Sequence, residues 1–221
     1  MLGIIPARGG SKAVPRKNLA SLGGKPLIAW SIQRSQQSIG LDRVIVSTDD
    51  EEIAADDTPD LPVFEHALEW LEREQGYAPD AILHLRPTLP FRTTQQIDDV
   101  VRLLETPEID CVKSVYLVDK HPHKMWRQIG DRLEPYVDSP FRRQVGPDYP
   151  RQKLEPVFWS AGLVDGIRRA TITKLRSTTG ERVLPYLVDA AACVDLDTPH
   201  DFLVAEAILT IARQEGLEWA F

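Results

Sequence analysis

The chain has 221 residues, 43% of them hydrophobic, and a formal net charge of −7. That length supports one good core with an appended lobe, and the acidic balance, with cations clustered at residues 8–17 and 113–151, argues against a duplex nucleic-acid partner. No run approaches the roughly eighteen apolar residues of a membrane span, and Met1 leads straight into an apolar stretch instead of a charged leader, so a cytoplasmic protein without a membrane partner is expected.

Residues 2–5 (LGII) predict a buried strand that ends at Pro6. The loop that follows carries Gly9, Gly10 and Ser11 among four cations, Arg8, Lys12, Arg16 and Lys17. Glycines admit positive φ and bring backbone amides close to an anion, Ser11 adds a hydroxyl donor, and the cations supply charge. That chemistry suits phosphates, although the spacing matches neither G-x-G-x-x-G nor G-x-x-x-x-G-K-[ST], and composition alone also allows a solvated surface loop. Gly23, Gly24 and Pro26 then introduce a helix whose Leu27, Ile28, Ala29 and Ile32 can face a sheet.

Residues 43–48 (RVIVST) predict a buried strand, with Asp50, Glu51 and Glu52 suited to the first turn of a helix. That helix reaches only Ala55 before DDTPD. Its six residues give about 9 Å at 1.5 Å each, too short to recross a sheet of ~17 Å strands, so either the crossover is lost in this protein or, as expected here, residues are missing between Ala55 and Asp56. Val63, Ala67, Leu68 and Leu71 then mark an amphipathic helix closed by Gly76. Residues 81–85 (AILHL) predict a buried strand, and RPTLPFRT, with two prolines, a rigid loop at its C-terminal end, where ligands bind in open α/β sheets. Thr93 or Thr94 caps a helix through Ile97, Val100, Val101 and Leu104, and residues 111–118 return as a strand.

Between residues 119 and 156 the periodicity breaks, with five prolines and no convincing helix. A loop this long serves as a lid or an interaction arm, and Met125, Trp126, Tyr136, Phe141 and Tyr149 argue against disorder because apolar side chains need a surface to bury against. Residues 158–167 predict a strand bent at Gly162 and Gly166, residues 171–179 a connection, and residues 190–194 a buried strand running into Asp195-Leu196-Asp197. Thr198 then caps a helix that starts at Pro199 and runs along Phe202, Leu203, Ala207, Ile208 and Ile211. Cys111 and Cys193 lack C-x-x-C spacing and read as buried free thiols, and the five histidines as structural or solvent-facing.

Asp195 and Asp197 carry the second chemical signal. In a strand, residues i and i+2 share a face, so both carboxylates can converge on one hard divalent cation such as Mg²⁺, which uses one or two carboxylates plus substrate phosphates. Taken alone, the pair is equally a helix cap beside a solvated charge.

The segment PARGGSK, followed by KN at residues 17–18, resembles the opening of the CMP-N-acylneuraminate synthetases, cytidylyltransferases that activate sialic acid and related nine-carbon keto-acid sugars. The similarity continues through GGKPLIAWSI, VIVSTDDEEIA, HALEWL, LHLRPTLPFRT, KHPHKMW, PRQKLEPVF and VDLDTPHDF, in order over nearly the whole chain. The resemblance implies a three-layer, Rossmann-like α/β nucleotidyltransferase fold with a mostly parallel sheet, one domain over residues 1–221 with 119–156 as a dimerisation arm, and a homodimer. It implies a nucleotide segment of Ala7, Arg8, Gly9, Gly10, Ser11 and Lys12, with Arg8, Lys12 and Lys17 on the phosphates of CTP and Mg²⁺ on Asp195 and Asp197. The acceptor sugar would meet Arg86, Arg92, Lys124, Arg151 and Gln152. The resembled family also has a longer helix and a further short strand after VIVSTDDEEIA.

Two departures fall where the acceptor is expected: Arg86 and Leu89 replace the glutamine and serine of a Q-P-T-S-P loop, and Ala161 replaces the asparagine of a P-N-G turn. They keep cytidylyl transfer while pointing away from N-acetylneuraminate toward another nonulosonic acid. Other readings are a cytidylyltransferase for an eight-carbon keto-acid sugar and an inactive nucleotide-binding protein.

Overall fold

The computed structural model describes residues 1–7, 10, 13–48, 59–146 and 148–217. The chain order is β1 (Leu2–Pro6), β2 (Ser21–Leu22), β3 (Lys25–Pro26), α1 (Leu27–Gln36), β4 (Arg43–Ser47), α2 (Asp60–Gln75), β5 (Ala81–His84), α3 (Thr94–Leu103) and β6 (Cys111–Leu117). It continues with β7 (Trp126–Ile129), β8 (Arg132–Pro135), α4 (Pro140–Val145), β9 (Phe158–Ser160), β10 (Asp165–Arg168), α5 (Arg169–Thr173), β11 (Val183–Leu187) and α6 (Pro199–Gln214). Two compact units result, one of residues 1–115 and 161–221 and one of residues 116–160. The junction between Ala55 and Asp56 lies outside the described residues.

The first unit is built on a sheet ordered β11-β6-β10-β5-β1-β4. β1 runs parallel to β4 and β5, β11 parallel to β6, and β10 antiparallel to both its neighbours, so β10 alone is reversed along that path. A parallel sheet buried on both faces needs apolar residues at both parities, and β1 and β5 supply them. On one face Leu2, Ile4, Ile82, Ile167 and Cys111 pack against Phe64, Ala67, Leu68 and Leu71 of α2. On the other, Ile5, Ala81, Leu83 and Val112 meet Ile97, Val100 and Val101 of α3, with Ile28 and Ile32 of α1 alongside. A third cluster joins Leu27 and Trp30 of α1 to Ala205, Leu209 and Ala212 of α6, with Phe91 and Leu196 between. This is the expected three-layer α/β architecture with a mostly parallel sheet.

The helix boundaries follow their local signals. Gly76 ends α2 in the left-handed region at φ 60°. Thr93 caps α3 with a capping box closed by Gln96, and Thr198 does the same for α6 with Asp201, Pro199 following at the first helical position.

Several expectations are corrected. Residues 43–47 form the outermost strand and are only partly buried. The stretch 158–167 is two strands, parted where Gly162 turns at φ 67°, and Gly166 is no bend: it sits inside β10, where a Cβ would come within 2.7 Å of Leu104 Cδ1. Residues 171–173 belong to α5 instead of a connection. Residues 190–192 form a single 3₁₀ turn followed by irregular chain, and Cys193 there is only partly buried. The strand expected at 190–194 is instead β11, which pairs residue by residue with Cys111–Val115; as the sheet's outermost strand it accommodates Pro185, which lacks an N–H.

The second unit has more structure than its prolines suggested. A β7–β8 hairpin turns at Gly130, and α4 starts at Ser139, whose hydroxyl accepts from the Arg142 amide. The Val118 amide donates to the Val157 carbonyl at 3.0 Å, and His121 and His123 stack with ring centroids 5.0 Å apart.

Candidate active site

β1 and β5 lie side by side, Ile4 opposite His84, so the loops leaving them emerge together at the C-terminal edge of the sheet. Ala7, buried, donates its amide to the Ser47 carbonyl at 2.7 Å and fixes the start of the glycine loop. Arg8, Gly9, Ser11 and Lys12 lie outside the described residues. Gly10 is exposed, and the loop closes through Arg16 at φ 52° into a 3₁₀ turn over Lys17–Leu19.

That turn delivers Lys17 to the other end of the chain. Its Nζ stands 2.7 Å from Asp197 Oδ1. Asp195 and Asp197 are not in a strand, yet they share a side because Leu196 between them is fully buried and its amide donates to the Thr88 carbonyl at 2.9 Å. The Thr88 hydroxyl holds Asp195. One residue of the RPTLP loop therefore pins the acidic segment twice. Desolvation holds Asp195 above the usual carboxylate range and the charge of Asp197 adds to the effect, while the Thr88 hydrogen bond and the cations Lys17 and Arg86 oppose it. The two carboxylates repel each other and present oxygen donors, the set a hard cation takes. Among the described residues there is no group of three or more His, Cys, Asp or Glu placed to hold a metal, so substrate oxygens or water would complete its shell.

Arg86 joins the same edge. Its Nη2 meets Asp60 Oδ2 at 3.2 Å, and the bare backbone of Gly162 lies against its guanidinium, where an added Cβ would stand 3.4 Å from Nε. Arg92 differs from the expectation that it meets the sugar. It is fully buried, with Nε donating to the Leu163 carbonyl and Nη1 to Ser31 Oγ, each at 2.9 Å, and Nη2 to the Arg86 carbonyl. Burial lowers its pKa to about 9. Arg92 braces the loop from inside. Lys124, Arg151 and Gln152 belong to the second unit, where Arg151 donates to the Asp119 carbonyl.

Sequence reasoning missed a polar row beneath Arg86. His84, Asp165 and Lys113 face one another across β5, β10 and β6. Asp165, buried, accepts from the Ser114 amide and hydroxyl at 3.0 and 2.9 Å and from Lys113 Nζ at 3.3 Å. A histidine at a core parity of AILHL was the available signal.

A model described as "Cytidylyltransferase" matches residues 2–59. The N-acylneuraminate cytidylyltransferase of Escherichia coli is 29% identical over 235 residues, covering 98% of this chain and 53% of the relative. The chain spans about half the length of that enzyme and of its Streptococcus agalactiae counterpart. The CMP-N,N'-diacetyllegionaminic acid synthase of Legionella pneumophila is 26% identical over 247 residues, covering 98% of this chain and 99% of the relative, so that alignment holds positions with no counterpart here. A solved CMP:2-keto-3-deoxy-manno-octonic acid synthetase in complex with CTP superposes with a TM-score of 0.66 at 15% identity, over 95% of this chain and 98% of that one. The chain is similar to cytidylyltransferases, N-acylneuraminate cytidylyltransferases among them.

Proposed function

We propose that the protein transfers CMP from CTP to the anomeric hydroxyl of a sialic-acid-like nonulosonic acid and releases pyrophosphate. The observation that carries this reading is the meeting of Lys17, Asp195, Asp197 and Arg86 at the sheet edge where the glycine loop begins. Arg8, Lys12 and Lys17 receive the β- and γ-phosphates. The anomeric oxygen bonds to the α-phosphorus, the bond from that phosphorus to the oxygen bridging to the β-phosphate breaks to release pyrophosphate, and the hydroxyl proton passes to solvent. Asp195 and Asp197 would hold Mg²⁺, which when bound neutralises phosphate charge; the chain's own residues position the two substrates and exclude competing geometries.

The same reading makes residues 119–156 the arm of a homodimer. Within the unit of residues 116–160, Trp126, Ile129, Leu133, Tyr136 and Trp159 are between 45% and 64% exposed, apolar surface that a second copy would cover. Light scattering tests this, with a monomeric mass as the refuting result. A cytoplasmic location belongs to the same proposal; among the described residues no helix is long and apolar enough to cross a membrane.

The test of the reaction is pyrophosphate release from CTP and Mg²⁺ against a panel of nine-carbon keto-acid sugars, N-acetylneuraminate and its deoxygenated relatives among them. Release with one acid supports the reading and names the acceptor. CTP binding without release from any acid overturns it in favour of a non-catalytic nucleotide-binding protein.

A further inference from the structure

Beneath Arg86 one face of the sheet changes character within two residues along the strands. The row Ile82, Ile167, Cys111 is wholly apolar and lies on α2. The next row, His84, Asp165, Lys113, is polar and lies at the C-terminal edge directly under Arg86, which shares its parity with His84. His84 is 4% exposed, and its ring meets Phe64 of α2 edge-on at 4.9 Å. Its Nδ1 faces Asp60 Oδ2 at 3.9 Å, which favours the tautomer with the proton on Nδ1. Nε2 is then a bare acceptor, and it is buried with no hydrogen-bond partner among the described residues. The donors nearby are engaged elsewhere: Lys113 donates to Asp165 and Arg86 to Asp60.

A buried acceptor without a donor costs stability unless something else supplies the donor. We infer that His84 is a specificity-determining residue of the acceptor site, its Nε2 accepting a hydrogen bond from a hydroxyl or acylamino N–H of the keto-acid sugar. The inference rests on the proposed reaction and names a residue within it. A neutral imidazole suits this role because it accepts where Arg86, Lys113 and Arg92 can only donate. Burial and those three cations hold His84 well below the ordinary histidine range, which keeps Nε2 unprotonated at neutral pH.

The experiment compares wild type with His84→Phe and His84→Gln by steady-state pyrophosphate release, using nine-carbon keto acids that carry either acylamino or hydroxyl groups. In His84→Phe the KM for the accepted acid is expected to rise about tenfold, the size of one lost hydrogen bond to a buried group, with the KM for CTP within about twofold. His84→Gln, which keeps an acceptor oxygen, recovers part of the loss. A rise confined to acylamino acids identifies N–H as the donor, and a rise shared with hydroxy acids identifies O–H. An unchanged acceptor KM in folded His84→Phe overturns this inference alone. No release from any acid by wild type overturns the proposed reaction and the inference with it.

Discussion

Arg92→Ala is expected to destabilise the protein by about 3–5 kcal/mol. The guanidinium, itself fully buried, holds the Leu163 carbonyl, the Ser31 hydroxyl and the Arg86 carbonyl, the first two also without solvent access. Leaving a buried polar group unpaired costs roughly 1–3 kcal/mol, and part of that returns for carbonyls able to find another donor. The cavity left by a long, fully buried side chain adds to the loss. For a chain of this size each kcal/mol moves the midpoint by about 2–4 °C, so thermal unfolding should fall by about 10 °C. Arg92→Met separates the contributions. It fills most of the volume and removes a charge whose burial already lowers its pKa to about 9, so it is expected to lose about half as much as Arg92→Ala. Because Nη2 holds the carbonyl of Arg86, both variants should also raise the acceptor KM more than the CTP KM. A loss under about 1 kcal/mol in Arg92→Ala would refute the bracing role.

Asp197→Ala should lower kcat for pyrophosphate release by about a hundredfold or more, the scale for removing one electrostatic contact to a transition state. Calorimetry in chelator should show metal-free CTP binding unchanged or tighter in that variant, since Lys17 loses its 2.7 Å partner; equal turnover in wild type and variant would sink the assignment. Gly166→Ala places a methyl 2.7 Å from Leu104 Cδ1 and 2.8 Å from Val100 Cγ1, and urea unfolding should register a loss of about 1–3 kcal/mol. Burial and the neighbouring cations hold His84 well below the ordinary histidine value of 6.5 in the folded state. Below about pH 6.5 the unfolded chain therefore binds the extra proton, and wild type should lose up to ~1.4 kcal/mol per pH unit relative to His84→Phe; parallel stability curves from pH 7 to 5 would contradict the buried neutral imidazole.

The sheet interior was legible because β1 and β5 are continuous apolar runs and α2, α3 and α6 announce their ends through Gly76, Thr93 and Thr198. β11 was not. VLPYL carries a proline, and only its pairing with β6, some seventy positions away in the chain, makes it a strand; local pattern has no access to that partner. The hairpin of the second unit was masked in the same way, since Trp126–Ile129 and Arg132–Pro135 are mostly exposed and lack the apolar alternation that betrays a half-buried strand. Phe64 and Trp30 hold more of the core than the aliphatic positions that defined their helices, because periodicity locates a face without weighing its members.

The acidic pair shows how a sequence rule can fail in its premise. The i, i+2 convergence of Asp195 and Asp197 was reasoned from a strand, and no ladder forms there. What substitutes is a single buried side chain. Leu196 enters the cluster shared by α1 and α6, its amide meets Thr88, and the flanking carboxylates are left on the outer side. Arg92 illustrates the opposite case. Its residue type and its place in RPTLPFRT both fit a sugar carboxylate, and no local pattern distinguishes a guanidinium that grips a ligand from one that grips three oxygens of its own chain. The difference is set by tertiary burial. Charge at a ligand-binding edge therefore identifies the neighbourhood from sequence, while the division of labour between Arg86 outside and Arg92 inside needs the fold.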